Sequence, residues 1–565
     1  MMYSKKNNFI IICFILLFQL MSTIAWAQDL SNIVKAKPFD YNGGINFSLN
    51  YYNPQGNSYR SLPWQYAFTG NASVSFYGIQ LPFNFYINNY QSGLSHPFNF
   101  YGISPSYKWA KLHLGHRSLS FSPYTLSGQT FWGAAIELNP GIFRFSALYG
   151  TFRNYIYIPN DDIQKTNLLP SFKRKGYGFK IGIGKQNTYL DLIYFKAKDE
   201  NQMEIPFSDT INIYPKENLV IGLNGSISLF KIFHIYINSA ISAFTPDNTS
   251  ESILTELENY QFVGKIMDPK ISTRLGFAGD AGINFRLRKF MLGIKYQRID
   301  PSYESLGTNY FMNDVEALTF NNSFSFLKSK ISVNSSLGLM RNNLLNNKIS
   351  TNNRIIGSIN SNIRFNKTYQ LQFSYTNFKL DQSIEIVDIN DTIQYAQTNQ
   401  AFRLAPMISF GNSNYKHSIN PVFLQSGFIT LNGHTNTTTD VKSNMAMINY
   451  SLTKPKSSLS FNGNISWRNY ITSVASSSNR LGTSIGINKN FKEKKISINS
   501  SVGYNTSIGE SAYNSQVFNI RGSVSYQLFK KQNISFSTYY INRNTDSALD
   551  INEIRFFLNY SYQLK

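Results

Sequence analysis

Arginines set the chemistry this sequence offers. Arg117, Arg144, Arg274, Arg364, Arg403, Arg468 and Arg521 recur singly, each in a segment that alternates apolar and polar residues. A guanidinium is a planar fork of donors that matches a carboxylate or a phosphate, so a set of them on one surface attracts anions. Lys108, Lys180, Arg286, Lys295, Arg354 and Arg555 fall in similar segments, and the acids among them are few, chiefly Glu137, Asp191, Asp280 and Glu553. A second constellation, Asp300, Tyr303, Glu304 and Asp314 with Tyr310 and Phe311, lies in one loop-like stretch. Its acids are expected to face the cationic residues and to narrow a passage between them.

Signatures of catalysis are scarce. His113 and His116 lie near Ser118 and Ser120, a pairing that a hydrolase could use, yet no Gly-x-Ser-x-Gly elbow is present and no third group is apparent. The six histidines are scattered without ligand spacing, and the acids between Asp247 and Asp268 lack the periodicity of a calcium loop. No phosphate loop or dinucleotide fingerprint occurs. The expectation is a protein without a metal or other cofactor and without enzymatic activity.

The elements that must position these residues are strands. Lys5 and Lys6 precede the apolar run from Phe9 to Leu20, and Ala25-Trp26-Ala27 supplies a small-x-small cleavage pattern, so residues 1–27 read as an export signal. The single cysteine, Cys13, falls inside that signal, which leaves the mature chain without a thiol or a disulfide. The 565 residues are only 15% charged, too few for an ordinary soluble surface, and carry a formal net charge of +22. For an exported protein this balance points to anionic lipid head groups, surface polysaccharides or acidic solutes as partners and not to nucleic acid.

Period-two alternation fills the mature chain. Phe518, Ile520, Gly522, Val524, Tyr526 and Leu528 share one face of a strand, and Asn519, Arg521, Ser523, Ser525 and Gln527 share the other. After Lys530-Lys531-Gln532 the pattern restarts at Ile534, which makes a long hairpin with a tight turn. The unit recurs around Lys492-Glu493-Lys494-Lys495 and Lys454-Pro455-Lys456. Each strand alternates for about ten residues, the length that crosses a bilayer at a tilt and longer than a propeller strand. Tight turns alternate with long connections such as residues 154–175, 198–218 and 245–270, so one rim carries turns and the other loops. Aromatics beside the turns, among them Trp109, Phe230, Phe326, Phe365, Phe410 and Phe529, fit a membrane-interface girdle. Pro105, Pro406 and Pro421 fall inside predicted strands and imply bulges, because proline donates nothing to a ladder.

The export signal, the alternating strands, the unequal connections and a last strand carrying Ile554, Phe556, Leu558, Tyr560, Tyr562 and Leu564 together resemble a bacterial outer-membrane β-barrel, porin-like or translocon-like in size. The resemblance implies an all-β transmembrane antiparallel barrel of a Gram-negative cell envelope. Pairing the segments gives about 26 strands, with short periplasmic turns and long extracellular loops. Residues 28–42 are expected to form a short periplasmic segment, too short for a plug, and residues 43–565 the barrel. The expected function is passage or export of a hydrophilic, anionic solute through a loop-constricted lumen. The alternatives are a structural or assembly subunit whose lumen is filled by an envelope protein partner, and an outer-membrane hydrolase.

Overall fold

The structure, a computed structural model, describes residues 38–564 except 56–61, 90–99, 157–170, 201–212, 254–263, 265, 309–312, 349, 385–394, 431–440, 473–476, 510–513 and 547–549. The predicted export signal and residues Tyr310 and Phe311 lie outside the described residues. The strands of the first half are β1 (Phe39–Gln55), β2 (Trp64–Phe76), β3 (Ile79–Asn88), β4 (Phe100–Ile103), β5 (Ser106–Tyr107), β6 (Ala110–Ser118), β7 (Thr130–Leu138), β8 (Phe143–Arg153), β9 (Arg174–Lys185), β10 (Thr188–Asp199), β11 (Glu217–Leu229), β12 (Phe233–Thr245), β13 (Arg274–Leu287) and β14 (Phe290–Ile299). Those of the second are β15 (Val315–Phe326), β16 (Ile331–Arg341), β17 (Ser350–Arg364), β18 (Tyr369–Ile384), β19 (Tyr395–Gly411), β20 (Lys416–Thr430), β21 (Val441–Lys454), β22 (Leu459–Thr472), β23 (Ser478–Phe491), β24 (Ile496–Gly509), β25 (Ser515–Phe529), β26 (Gln532–Thr545) and β27 (Ile551–Gln563). β1 opens at Phe39, inside the segment expected to precede the barrel.

Apart from β4 and β5, each strand pairs antiparallel with its sequence neighbour, and β1 pairs with β27 from Gly44↔Gln563 to Gln55↔Asn552. The sheet is therefore closed. β4 and β5 are two pieces of one position, since both pair with β3 on one side and β6 on the other, which makes a 26-strand cylinder. Closure is obligatory in hydrocarbon, where a free edge would leave a row of unpaired amides each costing several kcal/mol.

Side-chain alternation separates the two faces. On β10, Leu190 and Leu192 are exposed on the outside while Asp191, Ile193, Phe195 and Ala197 are buried toward the lumen. Ile241, Ile465 and Ile485 likewise present exposed aliphatic surface outward, which in water would be a liability and in lipid is the stabilising face. Outward aromatics band both rims. Phe410 stacks on His417 at 4.9 Å, and Tyr450 lies beside them at the turn rim. Tyr51 with Trp64 and Tyr101 with Trp132 do the same at the loop rim, with ring centroids 4.5 and 5.1 Å apart. The chain is a closed transmembrane β-barrel with an apolar belt between two girdles.

The turns are tight because residues there accept left-handed backbone. Tyr77 and Gly78, between β2 and β3, have φ of 47° and 87°, the two positive values of a type I′ hairpin that matches strand twist. The prolines mark ladder faults as their chemistry demands. Pro105 falls in the gap between β4 and β5. Opposite Pro406 and Pro421 the pairing of β19 and β20 lapses between Leu404↔Phe423 and Ile408↔Ile419, and the Asn420 side chain donates to the Pro406 carbonyl at 2.9 Å. The strands themselves continue through the fault.

Candidate functional site in the lumen

Two connections at the loop rim fold inward. The segment after β6, Leu119 to Gln129, lays Leu119, Phe121, Tyr124 and Leu126 against lumen-facing Phe131, Phe152, Ile193, Phe195 and Val220. The segment after β14 adds Tyr303, which is fully buried in the same cluster. A stripe of glycines makes the room. A Cβ on Gly178 of β9 would meet the Tyr194 carbonyl at 2.7 Å and the rings of Phe195 and Phe121 just beyond. The Tyr303 hydroxyl donates to the Tyr124 carbonyl at 2.6 Å, Ser305 Oγ to the Thr125 carbonyl at 2.7 Å, and Ser127 N–H to the Gly307 carbonyl at 2.9 Å. Buried Asn218 of β11 ties the second segment to the wall, donating to the Glu304 carbonyl and accepting from Leu306 N–H at 3.0 Å. Burial raises the Tyr124 and Tyr303 hydroxyls well above the usual tyrosine range, so both remain neutral donors.

The stretch singled out as a constriction does enter the lumen, but as a lining of one wall. Its acids do not face the cationic residues as expected. Asp300 accepts from Arg298 Nε at 3.1 Å and from Phe277 N–H at 3.1 Å. Asp314 turns to the next connection, accepting from Asn343 and Leu344 N–H at 3.0 and 2.8 Å and from Lys348 Nζ. Glu304 binds the wall only through its backbone carbonyl and its side chain is exposed.

The arginines face inward but are not gathered at one point. Arg144 is spent in a two-pronged pair with fully buried Asp191, at 2.7 and 2.9 Å. Arg117 lies on β6 opposite Phe131, with Nε and one terminal nitrogen unpartnered. Arg274 and Arg364 are exposed at the ends of β13 and β17. Arg403 donates to Gln372 at 3.4 Å. It shares one lateral row, through Leu424 and Met445, with Arg468 and Arg480. Arg468 and Arg480 stand directly opposite each other, an arrangement that repels. Tyr470 lies between them, 5.6 and 5.5 Å from the two guanidinium carbons, and its oxygen accepts from Arg468 at 2.8 Å. Arg521 lies over Tyr539 at 4.8 Å.

The charges therefore divide by wall. From β6 to β15 the inward acids are matched: Glu137 with Lys111, Asp191 with Arg144, Asp199 with Arg153 and Arg174, Asp280 with Lys295. From β16 to β26 the inward faces carry Arg354, Arg364, Arg403, Arg468, Arg480, Arg521 and Arg543 and, among the described residues, no carboxylate.

The histidines resolve differently. His116 is on the outer face, 4.5 Å from Trp132, as part of the girdle. His113 is buried on the lumen side, where Nδ1 meets Ser104 Oγ at 3.0 Å and Nε2 meets Glu137 at 2.8 Å. Its partners are Ser104 and Glu137 and not the neighbouring Ser118 or Ser120. Ser104 is only 7% exposed, so its hydroxyl offers no approach to an acyl group, and the trio braces the break between β4 and β5.

No family description matches this sequence, and no curated protein is similar to it. Solved structures with related shape include OccAB2 of Acinetobacter baumannii, 9% identical over 93% of this chain and 98% of that one, with a TM-score of 0.30. A BenF-like porin from Pseudomonas fluorescens is 10% identical over 93% and 99%, with a TM-score of 0.29. The translocation pore of the P pilus usher is 10% identical over 93% and 99%, with a TM-score of 0.35. The fold assignment stands on the closed strand ladder itself.

Proposed function

We propose that this barrel is a channel that passes a hydrophilic, anionic solute across the outer membrane. The observation that carries the reading is the unmatched cationic wall from β16 to β26, because inward guanidinium groups without carboxylates attract anions over the length of a passage. The inward segments on the opposite wall narrow the lumen from one side. Among the described residues the trio of Ser104, His113 and Glu137 is closed to substrate and gives a hydrolase no support.

Reversal potentials of the reconstituted barrel in a salt gradient test this. The expected result is anion preference that falls toward neutrality when Arg403, Arg468 and Arg480 are together replaced by Gln. Cation preference in the parent protein would overturn the reading. A second reading has its own observation. With strands about 4.8 Å apart and tilted by about 40°, 26 positions give a backbone cylinder roughly 50 Å across, and both inward segments lie along the wall. An envelope protein partner filling that space predicts a silent barrel and a protein that cross-links to the lumen face.

A further inference from the structure

The lumen wall at the closing seam holds a pocket of about 560 Å³, bounded by β24 to β27. Its floor is a single lateral row: Arg521 of β25 is paired with Tyr539 of β26, Tyr539 with Arg555 of β27, and Arg555 with Tyr52 of β1. Each guanidinium carbon lies over the ring of the tyrosine beside it, Arg521 over Tyr539 at 4.8 Å and Arg555 over Tyr52 at 4.6 Å. A cation–π contact of this kind restrains the guanidinium without using its N–H donors.

The two cations are not equivalent. Arg555 donates to Glu553 at 3.3 Å, and Glu553 also accepts from the Tyr52 hydroxyl at 3.1 Å. Nε of Arg555 is nevertheless buried with no hydrogen-bond partner. The Arg521 guanidinium is exposed to the pocket and has neither a carboxylate nor a hydrogen-bond partner among the described residues. With one acid against two cations the site keeps a single positive charge. Around it the inward side chains Asn499, Ser501, Ser523 and Ser537 present short hydroxyl and amide groups, and Phe557 presents an apolar ring.

We propose that this pocket is a recognition site for a sugar acid, a ring that carries one carboxylate and several hydroxyls. The carboxylate takes the Arg521 fork, which matches it with two parallel hydrogen bonds. The hydroxyls take the serine and asparagine groups, and a C–H face of the ring lies against Phe557. The single net charge favours a monoanion over a phosphate dianion. The volume falls within the range of small-molecule pockets. This inference rests on the channel reading and narrows its solute to one chemical class.

Titration calorimetry on the full chain in detergent, with sodium glucuronate, sodium acetate and glucose as probes, tests the site. Glucuronate is expected to bind at least about tenfold more tightly than either of the others, since each lacks half of the complementary groups. Arg521→Gln should weaken glucuronate by about tenfold or more and leave the strand circular dichroism unchanged. Ser537→Ala, which alters no charge, should weaken it several-fold. Equal binding of glucuronate and acetate, or an Arg521→Gln variant that binds as the parent does, overturns the proposal. The two readings fail separately. Anion-selective currents with no glucuronate preference leave the channel and remove the site, whereas glucuronate binding in a barrel without anion-selective currents keeps the site and removes the channel.

Discussion

Single residues decide how firmly the lumen lining is held. Tyr303 is fully buried and donates to the Tyr124 carbonyl, so Tyr303→Ala removes a packed ring and strands an acceptor. By analogy with buried aromatic truncations the cost is about 3–5 kcal/mol, borne by the inward segments and not by the strand ladder. The expected readout is unchanged strand circular dichroism with noisier and larger single-channel currents. Asp314 supplies a pH dependence. Burial would raise its pKa, but the Lys348 ammonium and the N–H groups of Leu344 and Asn343 outweigh burial and hold the carboxyl below the usual range. A carboxyl depressed in the folded protein stabilises it above the ordinary value near 3.8, and that stabilisation is lost as pH falls through the folded value. Pepsin cleavage at Leu344 and Leu345 should therefore increase between about pH 4 and pH 2. In Asp314→Asn cleavage should be rapid at both.

At the level of elements, the weakest part of the wall is the interrupted position formed by β4 and β5. β3 meets β4 over four residue pairs and β5 over one, whereas β1 and β27 are joined by twelve. Amide hydrogen exchange should be fastest among the strands at residues 100–107, and His113→Ala should accelerate it further by removing the brace to Ser104 and Glu137. The strands themselves were legible in the sequence because period-two alternation is dictated by a two-faced sheet, and the inward set including Arg144, Arg468 and Arg521 followed from the polar side of each strand. What the alternation hid is the lumen lining. Leu119, Phe121, Tyr124 and Leu126 occur in a segment that reads as an ordinary connection, and their partners Ile193, Phe195 and Ala197 make the inner face of β10 apolar, against the oily-out, polar-in rule. The signal was present in Gly176, Gly178 and Gly182, three glycines on one face of β9, which mark a close approach from inside. Pairing between acids and bases was equally illegible, since Asp191 and Arg144 are 47 residues apart and meet only over Gly182 of the intervening strand β9.

For the whole molecule, the division of charge matters more than its sum. The formal net charge of +22 says only that the chain is basic. On the β6 to β15 wall the inward acids are paired with bases, whereas the β16 to β26 wall carries its arginines among polar, aromatic and a few apolar side chains with no carboxylate among the described residues. The lumen thus presents an apolar, hydrogen-bonded lining on one flank and a cationic surface on the other.

The seam has a consequence for biogenesis. Tyr52 meets Glu553 across 501 residues of chain, so the final contact is among the most non-local the polypeptide has, and non-local contacts form late. Neither terminal strand has its full set of partners until the other arrives. Translation must finish, and the nascent polypeptide must be kept from aggregating through its raw edges, before the first strand can find the last.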